Sequence, residues 1–497
     1  MSAAAPASLF DDPRAAHVRV RAANSAPIRP ERAYILYWMT AARRTHHNVA
    51  LDRALALAHT LDRPLVVLEA LRVGYRWASA RHHRFVLDGM ADNRARFAAA
   101  GIAYHAYVEP VDGAGRGLVD ALAASACVVV ADDWPAFFLG RMLSAAAARA
   151  DVRVEAVDGN GLFPMRAATK EHQRAVDFRR MLQRTLPDYL SDVPRADPLE
   201  AHGTRAGEIP ENVLRQWPAA SATLLGGDAE SLAAIPVDAS VAPGPVRGGA
   251  VAAEARLAAW LDTGLDAYAE ARSDPDADAA SRLSPWLHFG HIGTHGVFAA
   301  LTRREGWTAA RLGAERRGAK DGFWGVSPSG DAFLDELVTW RELAMHTAVH
   351  RPGFEAYDSL PDWARRVLAE RADDPRPTRY DLDALDAART HDRVWNAAQR
   401  QLVREGRMPN YLRMLWGKKV LEWSARPEIA FETLVHLNNR YAVDGRDPSS
   451  YAGIAWIFGR YDRPWAPKRP IFGSIRYMSS DSTVKKLHLK RWLTAWG

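Results

Sequence analysis

Cysteine is almost missing from this chain of 497 residues, which carries Cys127 alone. An intrachain disulfide is therefore excluded, and a reducing, cytoplasmic setting is expected. Cys127 opens the apolar run CVVVA and reads as a buried strand residue. No apolar run reaches the roughly 18 residues that a membrane-spanning helix needs, so no membrane partner is expected. The first 33 residues carry Asp11 and Asp12 and no continuous apolar core, which argues against a secretory signal; rich in Ala, Pro and Arg, they read as a disordered lead-in. Internal repeats are missing, and so is the HExxH pattern of a zinc hydrolase. Glu342, His346 and His350 fall at i, i+4 and i+8, and without that pattern they read as a polar helix face, so no metal is expected.

A glycine fingerprint is also lacking. From Tyr34 the short apolar runs YILYWM, PLVVLEAL, IAYHAYV, CVVVA and VRVEAV alternate with helical patterns. Five strands separated by helices predict a doubly wound parallel sheet, an α/β Rossmann-like domain over residues 34–189. Such sheets bind ligands at the carboxyl ends of their strands. Here TAARRTHHN follows the first strand, which excludes an ordinary dinucleotide site, and GAGRG at Gly113 to Gly117 reads as a plain flexible loop.

Residues 190–250, rich in Pro, Gly, Ala and Asp and containing VAPGPVRGG, read as an interdomain linker. After Val251 helical periodicity dominates, which predicts an all-α domain over 251–497. A hydrophobic share of 48% is ample for two cores. The net charge is +6, and the cations crowd the end of the chain. From Arg463 onward there are Arg463, Lys468, Arg469, Arg476, Lys485, Lys486, Lys490 and Arg491 against Asp481, with Trp465, Tyr477 and Trp492 interleaved. That pattern can neutralise phosphates, as a solvated tail also would appear in sequence.

The span His391 to Trp456 holds THDRVWNAAQ, RMPNYLRMLWGKKVLEW and LNNRYAVDGRDPSSYAGIAW. A single aromatic at helical spacing is usually core. Arg413, Trp416, Val420 and Trp423, however, fall on one helix face, with the two indoles two turns or roughly 10 Å apart, a spacing suited to electron hopping.

Together with SRLSPWLHFG (from Ser281), FLDELVTWREL (from Phe333) and RPIFGSIRYM (from Arg469), these segments resemble the class II cyclobutane pyrimidine dimer photolyases of the photolyase and cryptochrome family. The resemblance runs from about residue 34 to 490 and is strongest after Tyr268. It implies an N-terminal antenna domain and a C-terminal domain that binds FAD and DNA. The implied activity is light-driven repair of ultraviolet-damaged DNA, in which an excited, reduced, anionic FAD passes an electron to a dimer flipped out of the duplex. A monomer is expected. For the N-terminal sheet two readings stay open, an antenna chromophore such as a deazaflavin and an empty site.

The resemblance also assigns residues. Ser281, Arg282, Leu283 and Ser284 match the phosphate-binding loop of the FAD site, where a helix cap would look the same, and Tyr268 matches a tyrosine there. Arg413 and Asp444 match an ion pair beside the flavin ring; Asn438 matches the asparagine facing its reactive nitrogen. Glu336 would offer a carboxyl group to the dimer, Trp340 and Trp456 would wall it, Met414 would floor it, and Arg272 would supply a nearby cation. Trp416, Trp395 and Trp423, in that order outward, match the electron chain that restores the reduced flavin. Pro409 and Asn410 stand where the family commonly has His-Gly, His346 to Ala348 where it has Asn-Phe-Cys, and Leu415 where it has Tyr. The altered residues around Pro409 favour a further reading, a cryptochrome-like light sensor with lost repair; another, a non-enzymatic basic nucleic-acid-binding protein, would be colourless.

Overall fold

Of the five predicted strands, YILYWM and CVVVA are apolar throughout, as strands covered on both faces require, while the other three each carry a charged residue or a histidine. In the computed structural model, which describes residues 8–200 and 202–497, those runs form β2 (Tyr34–Met39), β3 (Leu65–Leu71), β4 (Ala103–Val108), β5 (Ala126–Asp132) and β6 (Val154–Val157), after a short β1 (Val20–Ala22). The order across the sheet is β1-β6-β5-β2-β3-β4, parallel throughout except for β1, which pairs antiparallel with β6. Successive side chains point to opposite faces. Ile35, Tyr37 and Met39 therefore pack with the helix Val49–Leu61, while Tyr34, Leu36 and Trp38 pack with the helices Leu118–Ala123 and Leu139–Arg149.

The strand order reverses between β2 and β5. At that point the buried Asp132 carboxylate accepts the backbone N–H groups of Thr40, Ala41 and Ala42 at 2.8, 2.7 and 2.9 Å and the Tyr37 hydroxyl at 2.9 Å. An internal anion thus holds the amides that a nucleotide phosphate takes in a glycine-fingerprint fold.

Two expectations are corrected here. The lead-in is ordered from Ser8 onward: Pro13–Arg19 is helical and β1 closes the sheet edge, while residues 1–7 lie outside the described residues. Its polar, alanine-rich sequence hid a strand that is held by backbone pairing rather than burial. Nor is 190–250 a bare linker. It carries the helix Glu211–Gln216, and Trp217, Leu225 and Ile235 sit in the core of the sheet-bearing unit.

Two compact units share the chain. One comprises Met1–Ala167, Leu186–Leu257 and Leu283–Ala300; the other Ala168–Thr185, Ala258–Arg282 and Leu301–Gly497. The sheet-bearing unit includes Gly290, whose φ of +70° and whose approach to Ala41, where a Cβ would lie 1.7 Å from the carbonyl oxygen, leave no room for a side chain. The helical unit contains no strand among the described residues. In it the helix Asn410–Trp423 packs on Arg393–Glu405, Pro427–Tyr441 and Pro448–Ile457, and the last of these packs on Arg341–His350.

Candidate functional site

Four helices of the second unit and the turn after one of them carry half of the assigned residues. Arg413 and Met414 lie near the start of Asn410–Trp423, Asn438 near the end of Pro427–Tyr441, and Asp444 in the turn that follows. Arg413 Nη2 donates to Asp444 Oδ1 at 3.2 Å, and both side chains are largely covered. Asn438 is buried, and its Nδ2 donates to Ser450 Oγ at 2.6 Å. An ion pair and an oriented amide on adjacent elements make a polarised surface, with the cation able to face added negative charge.

The loop from Ser281 to Ser284 is held by its own backbone and one ion pair. Arg282 has φ +59° and pairs with Asp278, Leu283 is buried, Ser281 is half-buried and Ser284 exposed. The helix that begins at Ser284 is only five residues long, so its dipole is small. The buried Arg282 Nε in this loop has no hydrogen-bond partner, and neither has Ser449 Oγ, beside the Ser450 that holds Asn438. Donors left over at both ends fit an FAD, whose phosphates and ring need them.

Tyr268 is buried between Trp260 and Phe333, at ring distances of 5.6 and 5.5 Å, and Arg272 lies 5.5 Å from its ring. Burial, with the Glu336 carboxylate, pushes its phenol well above the ordinary value, so it acts as a neutral hydroxyl. Arg272 Nη2 is 3.9 Å from Glu336 Oε1. Glu336 sits deep among neighbouring atoms although 39% of its side chain remains accessible. Burial raises its carboxyl pKa, with Arg272 opposing and Asp335 adding to the rise.

Glu336 and Trp340 lie on a π-helical turn from Asp335 to Trp340, between the α-helices Pro328–Leu334 and Arg341–His350. Its wider turn re-aims these two side chains. Arg179, on the helix Ala175–Thr185, pins the turn through a two-point pair with Asp335 at 2.7 and 2.9 Å. Trp340 is half-buried, 6.4 Å from the Tyr461 ring, and Tyr461 bonds Thr347 at 2.7 Å. Trp456 is half-buried near the end of Pro448–Ile457, and Met414 faces Gly453 on the same helix.

The three chain tryptophans are in direct contact. Trp395 and Trp416 stack at 6.3 Å with an 8° interplanar angle, and Trp395 meets Trp423 at 5.6 Å and 68°. Trp395, on Arg393–Glu405, thereby bridges the two indoles of the neighbouring helix. Its Nε1 donates to the Trp416 carbonyl and Trp416 Nε1 donates to Gln399 Oε1, both at 3.0 Å. Tyr380 and His391 cover Trp423 at 5.2 and 5.4 Å. Sequence reasoning missed Gln399, Ser450 and Arg179, which orient assigned residues. Gln399 alone left a signal, one turn after Trp395 on the same face.

At the altered positions, Pro409 caps the helix that carries Arg413, Leu415 is buried, and His346 packs against His172, Phe178 and His350. Near the C-terminus the basic residues share aromatic partners: Arg463 and Arg476 each lie 4.9 Å from Trp465, and Arg469 lies 4.8 Å from Tyr477. No helix among the described residues is long and apolar enough to cross a membrane.

The family profile described as DNA photolyase matches residues 35–200. A deoxyribodipyrimidine photo-lyase of Methanothermobacter thermautotrophicus is 32% identical over 463 residues, covering 93% of this chain and 94% of that protein. One from Oryza sativa subsp. japonica is 33% identical over 478 residues, covering 93% and 87%. Among solved structures, a class III photolyase from Agrobacterium tumefaciens superposes with a TM-score of 0.66 at 18% identity, covering 94% of this chain and 86% of that one. A Synechocystis cryptochrome superposes at 0.65 and 14%, covering 93% and 88%. The fold is that of the photolyases and cryptochromes, a sheet-bearing unit and a helical one. The chain belongs to the DNA photolyase family.

Proposed function

We propose that this enzyme repairs cyclobutane pyrimidine dimers in ultraviolet-damaged DNA by light-driven electron transfer. The observation that carries the reading is the shared helix Asn410–Trp423. It holds Arg413, paired with Asp444, near its start and two of the three stacked tryptophans farther along. One rigid element thus links a cation fit for a flavin ring to a path for electrons. Bound FAD, reduced and excited by blue light, would supply the electron that opens the dimer.

The chain's own residues do the rest. Ser281, Arg282, Leu283 and Ser284 would hold the FAD phosphates, with Tyr268 beside them. Arg413, Asp444 and Asn438 would hold the ring, Asn438 kept in orientation by Ser450. Glu336, with its raised carboxyl pKa, keeps its proton to higher pH than an exposed glutamate and would lend a hydrogen bond to a pyrimidine carbonyl oxygen while charge develops there, the proton staying with the carboxyl when the electron leaves the opened product. Trp340 and Trp456 would stack on the flipped bases, Met414 would close the floor, and Arg272 would steady Glu336 and the lesion. Flipping costs a few kcal/mol and is cheapest for a damaged, poorly stacked site. The exposed cations after Arg463 bind phosphates without regard to sequence.

The near-equal likeness of the fold to a photolyase and to a cryptochrome supports a second reading, a light sensor without repair. Illumination of the purified, reduced protein with a dimer-containing oligonucleotide separates the two. Recovery of thymine absorbance supports repair; a yellow protein that leaves the dimer intact supports the sensor.

A further inference from the structure

Lys418 is a charged residue that the reading above leaves without a task. Its side chain is wholly buried on the helix Asn410–Trp423. Beside it Gly417 lets the helix Pro448–Ile457 come close, since a Cβ at Gly417 would lie 2.0 Å from Ile457 Cδ1. Through this close approach the Lys418 ammonium reaches the C-terminal end of Pro448–Ile457 and donates to the Ile457 carbonyl oxygen. The same nitrogen lies 5.4 Å from the centre of the Trp456 ring, and the Arg476 guanidinium lies 5.6 Å from that ring. A buried ammonium is costly unless it is paired. Here its compensation is a helix C-terminus and the electron-rich face of an indole, and both belong to the helix that carries Trp456.

We propose that Lys418 is a positioning residue for lesion recognition, its positive charge locking the Trp456 indole in the orientation that stacks on a flipped-out pyrimidine dimer. The inference rests on the reading of Trp456 as a wall of the lesion pocket. Burial pushes the amine down to about 7, with Asp462 opposing the fall and Arg476 adding to it. On its own helix the neighbouring Lys419 is held by Glu422 at 2.9 Å. Below that value the amine is charged and the indole is held. Above it the neutral amine still donates to Ile457 but loses its attraction for the ring, and the wall loosens. Preference for damaged DNA is therefore high at mildly acidic pH and falls as pH rises.

The test uses the FAD-loaded protein carrying 5-fluorotryptophan at position 456, with and without Lys418→Met. Binding to dimer-containing and intact duplex is titrated from roughly pH 6 to 9, a window that brackets a lysine lowered this far by burial. In the unaltered protein the preference for damaged duplex should fall by about three- to tenfold over that window, the range a partly desolvated cation and indole can supply. The fluorine resonance should move with the same midpoint. In Lys418→Met both should be flat, and the preference should stay at its low, high-pH level. A resonance that ignores pH in the unaltered protein, or that titrates equally in Lys418→Met, overturns the proposal; the first of these needs no variant to fold. Trp456→Ala separates the underlying reading. If that variant keeps full preference while the fluorine of the protein that retains position 456 titrates with Lys418, the wall assignment is what has failed.

Discussion

Trp395 and Trp416 lie buried and parallel, their N–H groups tied to a carbonyl and an amide oxygen, whereas Trp340 and Trp456 lie half-exposed, Trp456 with cations on two sides. On the proposed roles, the same side chain would serve two ends of the chemistry through its surroundings. Close ring contact among neutral neighbours favours handing an electron on; a cation beside an indole makes it harder to oxidise and keeps it a wall. Trp423 is intermediate, since Lys419 lies 5.7 Å from its ring but is neutralised by Glu422.

The sharpest way to break this contrast is Trp416→Phe. It removes the indole nearest Arg413 while keeping most of the ring volume, and photoreduction of oxidised flavin should all but vanish. Repair by chemically reduced enzyme should survive. Transient absorption after a light flash measures the first and thymine recovery the second; photoreduction at the normal rate would mean that electrons take another path. Glu336→Ala is expected to cut repair yield by about tenfold or more, as loss of a positioned proton donor does, with DNA affinity nearly unchanged. The raised carboxyl pKa sets the sign of the pH effect. Yield in the unaltered enzyme should fall as pH climbs through that raised value, and Glu336→Gln should flatten the fall; yields per absorbed photon across pH decide it.

A smaller effect is expected at Trp456→Ala. Loss of one stacking wall should cost about 1 to 3 kcal/mol of affinity for damaged duplex and little for intact duplex, as parallel titrations would show. Equal losses on both DNAs would make this indole structural and erase the distinction between the two tryptophan sets. Gly417→Ala should destabilise by about 1 to 3 kcal/mol, the ordinary cost of overpacking, because its Cβ meets Ile457. Denaturant unfolding followed by flavin release would measure it.

The parallel strands were legible because YILYWM and CVVVA are apolar without interruption, and only strands buried on both faces read that way. β1 was not, because an edge strand of Val20–Ala22 held by backbone hydrogen bonds leaves no hydrophobic pattern. The three chain tryptophans could be picked out by resemblance, but their spacing suggested two indoles about 10 Å apart, and the bridging place of Trp395 depends on packing between helices. The π-helical turn at Glu336 was hidden because it is a change of hydrogen-bond register, not of composition. Lys418 was hidden because a lysine on a helix reads as solvent-facing until a neighbouring glycine is seen to close the gap.

The hydrogen bonds of the inner two indoles also decide what an oxidised tryptophan can do. Once Trp416 has given up an electron, its N–H becomes strongly acidic, yet its partner is the amide oxygen of the fully buried Gln399, which is too weak a base to take the proton. Trp395 is in the same position against a peptide carbonyl. The positive hole therefore keeps its proton at both places and stays mobile. On the proposed electron path it would be trapped only beyond them, near Trp423, whose ring lies 5.4 Å from that of the exposed His391, so the direction of charge separation would be written into which indole can afford to lose its hydrogen.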